Sequence, residues 1–309
     1  MDDNENNNAN IKNNIENLVK NYKILSIGLC GYLIEWCLYT STAKQIYDLI
    51  GHSIMDASLS IYNMEIYIGC DDGIVRLINF ENKFYLKQQF NKVNSPITSI
   101  AVFCNKQNSE EIFCTGHLNS SINLWKKGVI ALTFGNKTYS YNTRKNKPIK
   151  LNDNGMIIDD EELNQDEVTN NRINTMCFIN SKFLATGNQE GEVQIWDVEF
   201  GVLKTKFKEH DGDINSIVYS TKYRTLYFTG ADSLIKSAIY CQNNQEFKIQ
   251  SFLRPQSHDI NCLLVMQNKN ILISGGVTSD ICLINLEKGR FIESFGKNNL
   301  HQNSKSFID

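Results

Sequence analysis

Six copies of one sequence pattern are spread along the 309 residues of this chain. In each copy an apolar run ends at a glycine, a polar turn follows, and a run of alternating apolar and polar residues closes the unit. Four of the five intervals between these glycines measure 41 to 47 residues. A period of about 40–45 residues with several short strands per unit is typical of propeller blades. The spacing predicts an all-β propeller of six recognisable blades. The glycines are Gly28, Gly69, Gly116, Gly187, Gly230 and Gly275.

Each unit has room for four strands. An apolar pair spaced by three residues precedes each glycine by 13 to 19 residues, which is enough for one strand and a turn. The run that ends at the glycine is apolar at nearly every position, as in Ile271-Leu272-Ile273, and this indicates burial on both faces. Gly73 and Gly191 lie in polar turns, where we expect a positive φ. The apolar pairs are Ile15/Leu18, Ile54/Ala57, Ile97/Ile100, Ile173/Met176, Ile214/Ile217 and Ile260/Leu263.

Composition narrows the classes of function. The formal net charge of −3 excludes a generally basic nucleic-acid-binding body, although local basic patches remain compatible with it. The nine cysteines show no metal-ligand spacing, so we expect free thiols and a reducing compartment. Four of them fall inside predicted strands, where burial is expected: Cys114, Cys177, Cys262 and Cys282.

The predicted propeller spans residues 15–296. An Asn-rich tail over residues 1–14 and a second tail over residues 297–309 are predicted to be disordered. The most apolar stretch, Ile24–Tyr39, is too short to span a bilayer and fits the repeat, so no membrane partner is expected.

One interval breaks the period, because 71 residues separate Gly116 from Gly187. The excess forms a charged inter-blade insertion over residues 134–171, basic at its start and acidic at its end. It is either a solvated, disordered loop or a docking arm whose cations touch RNA phosphates or an acidic protein surface. The cations of that arm would be Lys137, Arg144, Lys145, Lys147 and Lys150.

A set of polar residues recurs at fixed places in the units and predicts a structural hydrogen-bond network inside the blades. Histidines precede first strands, hydroxyls come just before the landmark glycines, acids follow them, and tryptophans close the alternating runs. We expect this network to make the blades rigid, not to perform chemistry. Its predicted members are His210, His258, Thr186, Glu190, Asp232, Trp125 and Trp196.

Sequence signals of catalysis do not stand out. The chain has no P-loop, no dinucleotide-binding glycine fingerprint after a strand and no nucleophile elbow. We therefore expect no catalytic residue, no cofactor, no metal and no small-molecule substrate.

The units resemble WD repeats, most plainly at Trp196-Asp197 and in turns that place an acid three residues after a glycine. Their order along the chain, over about Ile15–Glu287, resembles the first propeller of the cirhin family, WD-repeat subunits of the nucleolar small-subunit processome. The segments that carry this resemblance are Ile66–Ile78, Phe90–Ile100, Glu190–Val218, Phe228–Ile235, Arg254–Leu264 and Ile271–Ile284.

The resemblance implies a scaffold that binds nascent pre-rRNA and sister protein subunits during early small-subunit (18S rRNA) processing, in the nucleolus or nucleus. Proteins of that family carry a further repeat ahead of the one that begins at Ile15, so the six units could form an incomplete seven-bladed ring. A cytosolic WD-repeat adaptor that assembles a multiprotein complex, such as a ubiquitin ligase, would share every repeat feature and remains the alternative.

Overall fold

The computed structural model describes residues 23–60, 62–104, 111–135, 171–241 and 246–296, and every regular element within these ranges is a β-strand. The strands form six antiparallel sheets, each built from strands consecutive in the chain. The predicted fold class, an all-β propeller with six blades, is confirmed.

The blades are numbered in chain order, and the strands within a four-stranded blade are called a to d. Blade 1 contains β1 (Ile24–Ile27), β2 (Tyr32–Trp36) and β3 (Ala43–Asp48). Blade 2 contains β4 (Ile54–Ser60), β5 (Glu65–Cys70), β6 (Val75–Asn79) and β7 (Tyr85–Gln89). Blade 3 contains β8 (Ile97–Cys104), β9 (Glu111–His117), β10 (Ile122–Lys126) and β11 (Val129–Phe134).

Blade 4 contains β12 (Ile173–Phe178), β13 (Phe183–Asn188), β14 (Glu192–Asp197) and β15 (Val202–Lys208). Blade 5 contains β16 (Ile214–Ser220), β17 (Thr225–Gly230), β18 (Ile235–Cys241) and β19 (Glu246–Leu253). Blade 6 contains β20 (Ile260–Met266), β21 (Ile271–Gly276), β22 (Ile281–Asn285) and β23 (Arg290–Phe295).

Blade 1 shows three described strands, which correspond to strands b, c and d of the other blades. The strand a predicted for it near Ile15 and Leu18 lies outside the described residues, as do the predicted tails and nearly all of the 134–171 insertion. The prediction of four strands per repeat is confirmed for the other five blades.

The strand pairing corrects the sequence register at two of the six glycines. Gly69 pairs with Val75 and Gly187 with Val193, whereas in blade 5 the residue that pairs with the equivalent Ile235 is Thr229. Gly230 therefore lies one position later than the glycines of the other copies. Gly28 is displaced in the same way, because Ile27 pairs with Leu33.

Burial follows the predicted pattern in some b strands only. β5 is buried at all six positions and β13 at five of six, which confirms a strand covered on both faces. β21 alternates instead, with Leu272 buried and Ile271 and Ile273 half-buried. The expectation of two-sided burial is wrong for the very run that suggested it most clearly.

The chain divides into two compact units, one up to Val102 and one from Phe103 onward, with the boundary inside β8. In the first unit, an apolar core joins blades 1 and 2 and includes Leu33, Leu49 and Ile68. In the second unit, Ala185 and Ile195 of blade 4 pack with Ile214, Ile217, Phe228 and other apolar groups of blade 5. A further cluster joins Ile235 of blade 5 to Ile260, Leu272 and Ile284 of blade 6. Neighbouring blades therefore bury each other's apolar faces.

Candidate functional site

Three blades contain the same hydrogen bond between a tryptophan of strand c and a hydroxyl of strand b, buried in blades 3 and 4 and half-buried in blade 1. The indole Nε1 of Trp196 donates to Thr186 Oγ1 over 3.0 Å, and Trp125 donates to Thr115 over 3.0 Å. In blade 1, Trp36 donates to Ser26 Oγ over 2.8 Å. The partners are ten residues apart in each case. The spacing follows from the hairpin register, which sets these two positions on adjacent strands near one another.

Blade 3 extends this bond into a cluster that the sequence did not predict. Thr115 Oγ1 lies 2.9 Å from His117 Nε2, and the Nδ2 of Asn123 lies 3.1 Å from the same ring nitrogen. Thr133 donates to Asn123 Oδ1 over 2.7 Å. Thr115, His117 and Asn123 are buried, so the cluster fixes three strands of the blade to one another.

Blade 5 contains a buried histidine in the loop before its first strand. His210 Nδ1 lies 2.7 Å from Asp232 Oδ2, and the ring packs edge-on against Phe228. A Cβ on Gly230 would lie 2.8 Å from the His210 ring, which explains why glycine occupies that position in this blade. The His210 Nε2 atom is buried without a hydrogen-bond partner among the described residues.

The structure places His258 and Glu190 elsewhere than in such clusters. His258 is exposed, and Gln256, which stands four residues before Ile260 as His210 stands four before Ile214, takes the buried position. Gln256 Nε2 donates to Asp280 O over 3.0 Å. The Glu190 side chain is exposed, and Asn188 Oδ1 accepts the backbone N–H groups of the following turn instead.

Asn188 also holds an acidic side chain at the start of β14. Its Nδ2 donates to Glu192 Oε2, and Lys206 approaches the other carboxylate oxygen at 3.0 Å. Burial opposes ionisation of Glu192, but the hydrogen bonds from Lys206, Gln194 and Asn188 outweigh it and hold its pKa below the usual value. The Glu192 carboxylate stays charged, and its contacts stabilise blade 4.

The a strands of neighbouring blades are joined by side chains that accept backbone N–H groups. Asp56 Oδ2 accepts from Ile100 N over 2.8 Å, and in blade 5 Ser216 Oγ accepts from Leu263 N over 3.1 Å. Both acceptors stand two residues after the first residue of strand a. Each donor is a backbone N–H of the next a strand, which is an edge strand of its sheet. The side chain therefore accepts a hydrogen bond from a group that has no partner within that sheet. Burial raises the pKa of Asp56 to about 6, although its N–H partners oppose the shift.

His52, Asp71 and Asp72 approach one another closely enough to surround a cation. However, Asp72 already forms a two-pronged pair with Arg76, at 3.2 and 2.7 Å, and accepts the N–H of Ile74. Burial works against its ionisation, and these bonds nevertheless keep the pKa of Asp72 low. Arg76 and a backbone N–H group therefore balance the charge of Asp72, and these contacts stabilise the turn between β5 and β6.

The other predicted positions divide in two ways. Lys137, Arg144, Lys145, Lys147 and Lys150 lie outside the described residues. Of the four cysteines expected to be buried, Cys114 and Cys282 are buried, Cys177 is half-buried and Cys262 is exposed, so that expectation is wrong for Cys262. It lies on strand a of blade 6, and its side chain is exposed to solvent.

Across the described ranges, no helix has the length and apolar character needed to cross a bilayer.

No protein-family model matches the chain. It is similar to U3 small nucleolar RNA-associated protein 4 of Saccharomyces cerevisiae, at 20% identity over 85% of this chain and 32% of that protein. The mouse homologue of that protein matches at 20% identity over 84% of this chain and 35% of its own length. The periodic tryptophan protein 2 homologue of Dictyostelium discoideum is 26% identical over 39% of this chain and 13% of its own length. The chain therefore spans about a third or less of these relatives.

Proposed function

We propose that this chain is a non-catalytic WD-repeat scaffold of ribosome biogenesis that acts in the manner of cirhin. In this role it binds pre-rRNA and sister protein subunits during early small-subunit processing in the nucleolus. The observation that carries the proposal is the similarity over 85% of the chain to a protein named for its association with the U3 small nucleolar RNA. That similarity falls on a chain whose described part is made of propeller blades.

The chemistry inside the blades supports a scaffold. The buried tryptophans, hydroxyls and histidines bond within their own blade, as in Trp196 with Thr186 and His210 with Asp232. The a strands use their side chains to join one blade to the next. These groups are engaged in holding the fold, so the turns and loops at the blade ends are left to make contacts with partners.

The experiment that tests the proposal is purification of the tagged full chain from cells, followed by sedimentation and analysis of the recovered RNA and protein. We expect the chain in large particles that contain U3 RNA and 18S precursors, with pre-rRNA recovery lost after nuclease treatment. Recovery in a small cytosolic complex with ubiquitin-ligase subunits and no precursor rRNA would replace the proposal with the adaptor function.

The basic stretch from Lys137 to Lys150 is proposed as an RNA contact of this scaffold. Five phosphate contacts from this stretch would contribute a slope of up to about −3.5 to log K against log salt for single-stranded RNA. Deletion of residues 137–150 should remove that contribution. An unchanged salt slope after deletion would show that the stretch does not touch RNA.

A further inference from the structure

In the second compact unit, the turns at one end of the strands are mainly basic and the connections at the other end are mainly acidic. Strands a and b, and strands c and d, are antiparallel neighbours, so the a–b and c–d turns of a blade lie at the same end. Contacts between blades 5 and 6 align these ends. Lys222 Nζ donates to Asn270 Oδ1 over 3.0 Å, which joins the two a–b turns. Arg172 pairs with Asp213 at the opposite end of blades 4 and 5.

We define the basic turn face as the described a–b and c–d turns of this unit, residues 127–128, 179–182, 198–201, 221–224, 267–270 and 286–289. These turns contain six cationic residues and two acidic ones. The described connections at the opposite ends of the strands contain seven carboxylates and two arginines. The cations of the basic turn face are Lys127, Lys182, Lys222, Arg224, Lys269 and Lys288, and all are exposed.

Aromatic rings follow the same division. Phe200 lies in the c–d turn of blade 4 with 67% of its surface exposed, and Tyr223 lies beneath the Lys222 ammonium at 5.4 Å from its ring centroid. Phe291, 51% exposed, follows the c–d turn of blade 6 by two residues. The described connections at the opposite ends contain no phenylalanine, tyrosine or tryptophan.

We infer that the basic turn face binds single-stranded RNA. Phosphates are attracted by cations distributed over several turns, and unpaired bases stack on exposed aromatic rings. An acidic protein surface would pair with the cations, but its carboxylates would gain nothing from the exposed phenylalanine rings that lie among those cations. The inference deepens the proposed function by assigning an RNA contact to one face, and it depends on that function only for the identity of the RNA.

The test compares two variants that each lose three cations from the full chain. Lys182, Lys222 and Lys269 are changed together to Gln on the basic turn face. Lys206, Lys208 and Arg254 are changed together to Gln at the opposite strand ends as the matched control. Binding of a labelled 20-nucleotide oligouridine is measured from 50 to 300 mM salt, after thermal unfolding has verified that both variants are folded.

We expect the basic-face variant to bind at least about tenfold more weakly at 150 mM salt, with a salt slope shallower by about 2, because each lost phosphate contact removes about 0.7. The control should change affinity less than about threefold. Phe200→Ala should weaken binding about fivefold or more without changing the slope, since stacking carries no counterion release. Equal losses in the two triple variants, or no loss in either, would overturn the assignment.

An acidic partner is distinguished by the same variants. If a polyglutamate peptide of 20 residues binds as tightly as the oligouridine and Phe200→Ala has no effect on RNA, the face binds acidic protein and the inference is wrong. Failure of the proposed function would look different, because purified chain would still bind oligouridine through this face while the cellular protein failed to sediment with pre-ribosomal particles.

Discussion

At the scale of single residues, the hydrogen bond from tryptophan to hydroxyl shows how a short spacing becomes a stabilising contact. Trp125, Thr115 and Thr186 are fully buried, and Trp196 is nearly so. An indole that loses its acceptor, or a hydroxyl that loses its donor, leaves a polar group away from water. The main effect of this bond on stability is therefore the cost of removing one of its two partners, which leaves the other partner buried and unpaired.

Trp196→Phe should lower the free energy of unfolding, because it leaves the Thr186 hydroxyl without its donor and removes part of a packed ring. Thr186→Val should be destabilising as well. The double variant should be less destabilised than the sum of the two by about 1 kcal/mol, since neither polar group then remains unpaired. Guanidinium unfolding of the four proteins measures this coupling. Strictly additive effects would show that the bond adds nothing.

Sequence spacing singled out both members of one pair whose partners lie one hairpin apart, but it did not single out Thr115, Ser26 or Trp36. Thr186 with Trp196 is that pair, because an antiparallel hairpin fixes which side chains are neighbours. Spacing was not enough where a loop crosses to another strand. His258 stands in the same loop as Gln256, and only the alignment of Ile260 with Ile214 shows that Gln256 matches His210.

At the scale of the elements, the b–c hairpins of blades 2 and 4 depend on a glycine in the left-handed region. Gly73 and Gly191 both have φ of +78°. A Cβ at Gly191 would meet the carbonyl oxygen of His210, and at Gly73 that of Val93. Each hairpin thus packs directly against the backbone of the loop that leads to the next blade. The predicted positive φ is confirmed, but this close approach could not be predicted, because it depends on a neighbouring segment.

Gly191→Ala should destabilise the protein by about 2 kcal/mol or more, because left-handed strain of about 1 kcal/mol adds to the collision with His210 O. Gly289→Ala is the matched control. Gly289 also has a positive φ, +57°, but nothing lies within 4 Å of the point that an added Cβ would occupy, so only the strain applies. Thermal unfolding ranks the two. Equal losses of stability would mean that the loop yields to the added methyl group.

At the scale of the whole molecule, the repeat period predicted the six blades, and the room within each repeat predicted the four strands that five of them show. The period could not reveal how blades are joined, since that depends on pairs such as Asp56 with Ile100 and Ser216 with Leu263, about 45 residues apart. Nor could it show which equivalent positions of the a strands are exposed. Leu264 of blade 6 is 58% exposed, whereas the equivalent Val218 of blade 5 packs against the apolar cluster shared with blade 6.

The hydrogen bond from Ile100 N to Asp56, which joins blades 2 and 3, should make the stability of the protein depend on pH. The pKa of Asp56 is about 6 when folded and near 3.8 when unfolded, so its favourable contribution is present below about pH 3.8 and is lost as pH rises through 6. Asp56→Asn keeps an oxygen that can accept the Ile100 N–H and carries no charge. Relative to the native chain, this variant should therefore gain about 1–3 kcal/mol of unfolding free energy between pH 4.5 and pH 7.5.

Urea unfolding of both proteins at the two pH values measures that gain, because other titrating groups cancel in the comparison. Ser216→Ala provides the control, since it removes the corresponding bond of blade 5 but no titrating group, and its destabilisation should be the same at both pH values. If Asp56→Asn also shows one constant difference, the carboxyl is ionised throughout this range. The Ile100 N–H would then be bound by an ionised carboxylate, and burial between the blades would not determine the protonation state of Asp56.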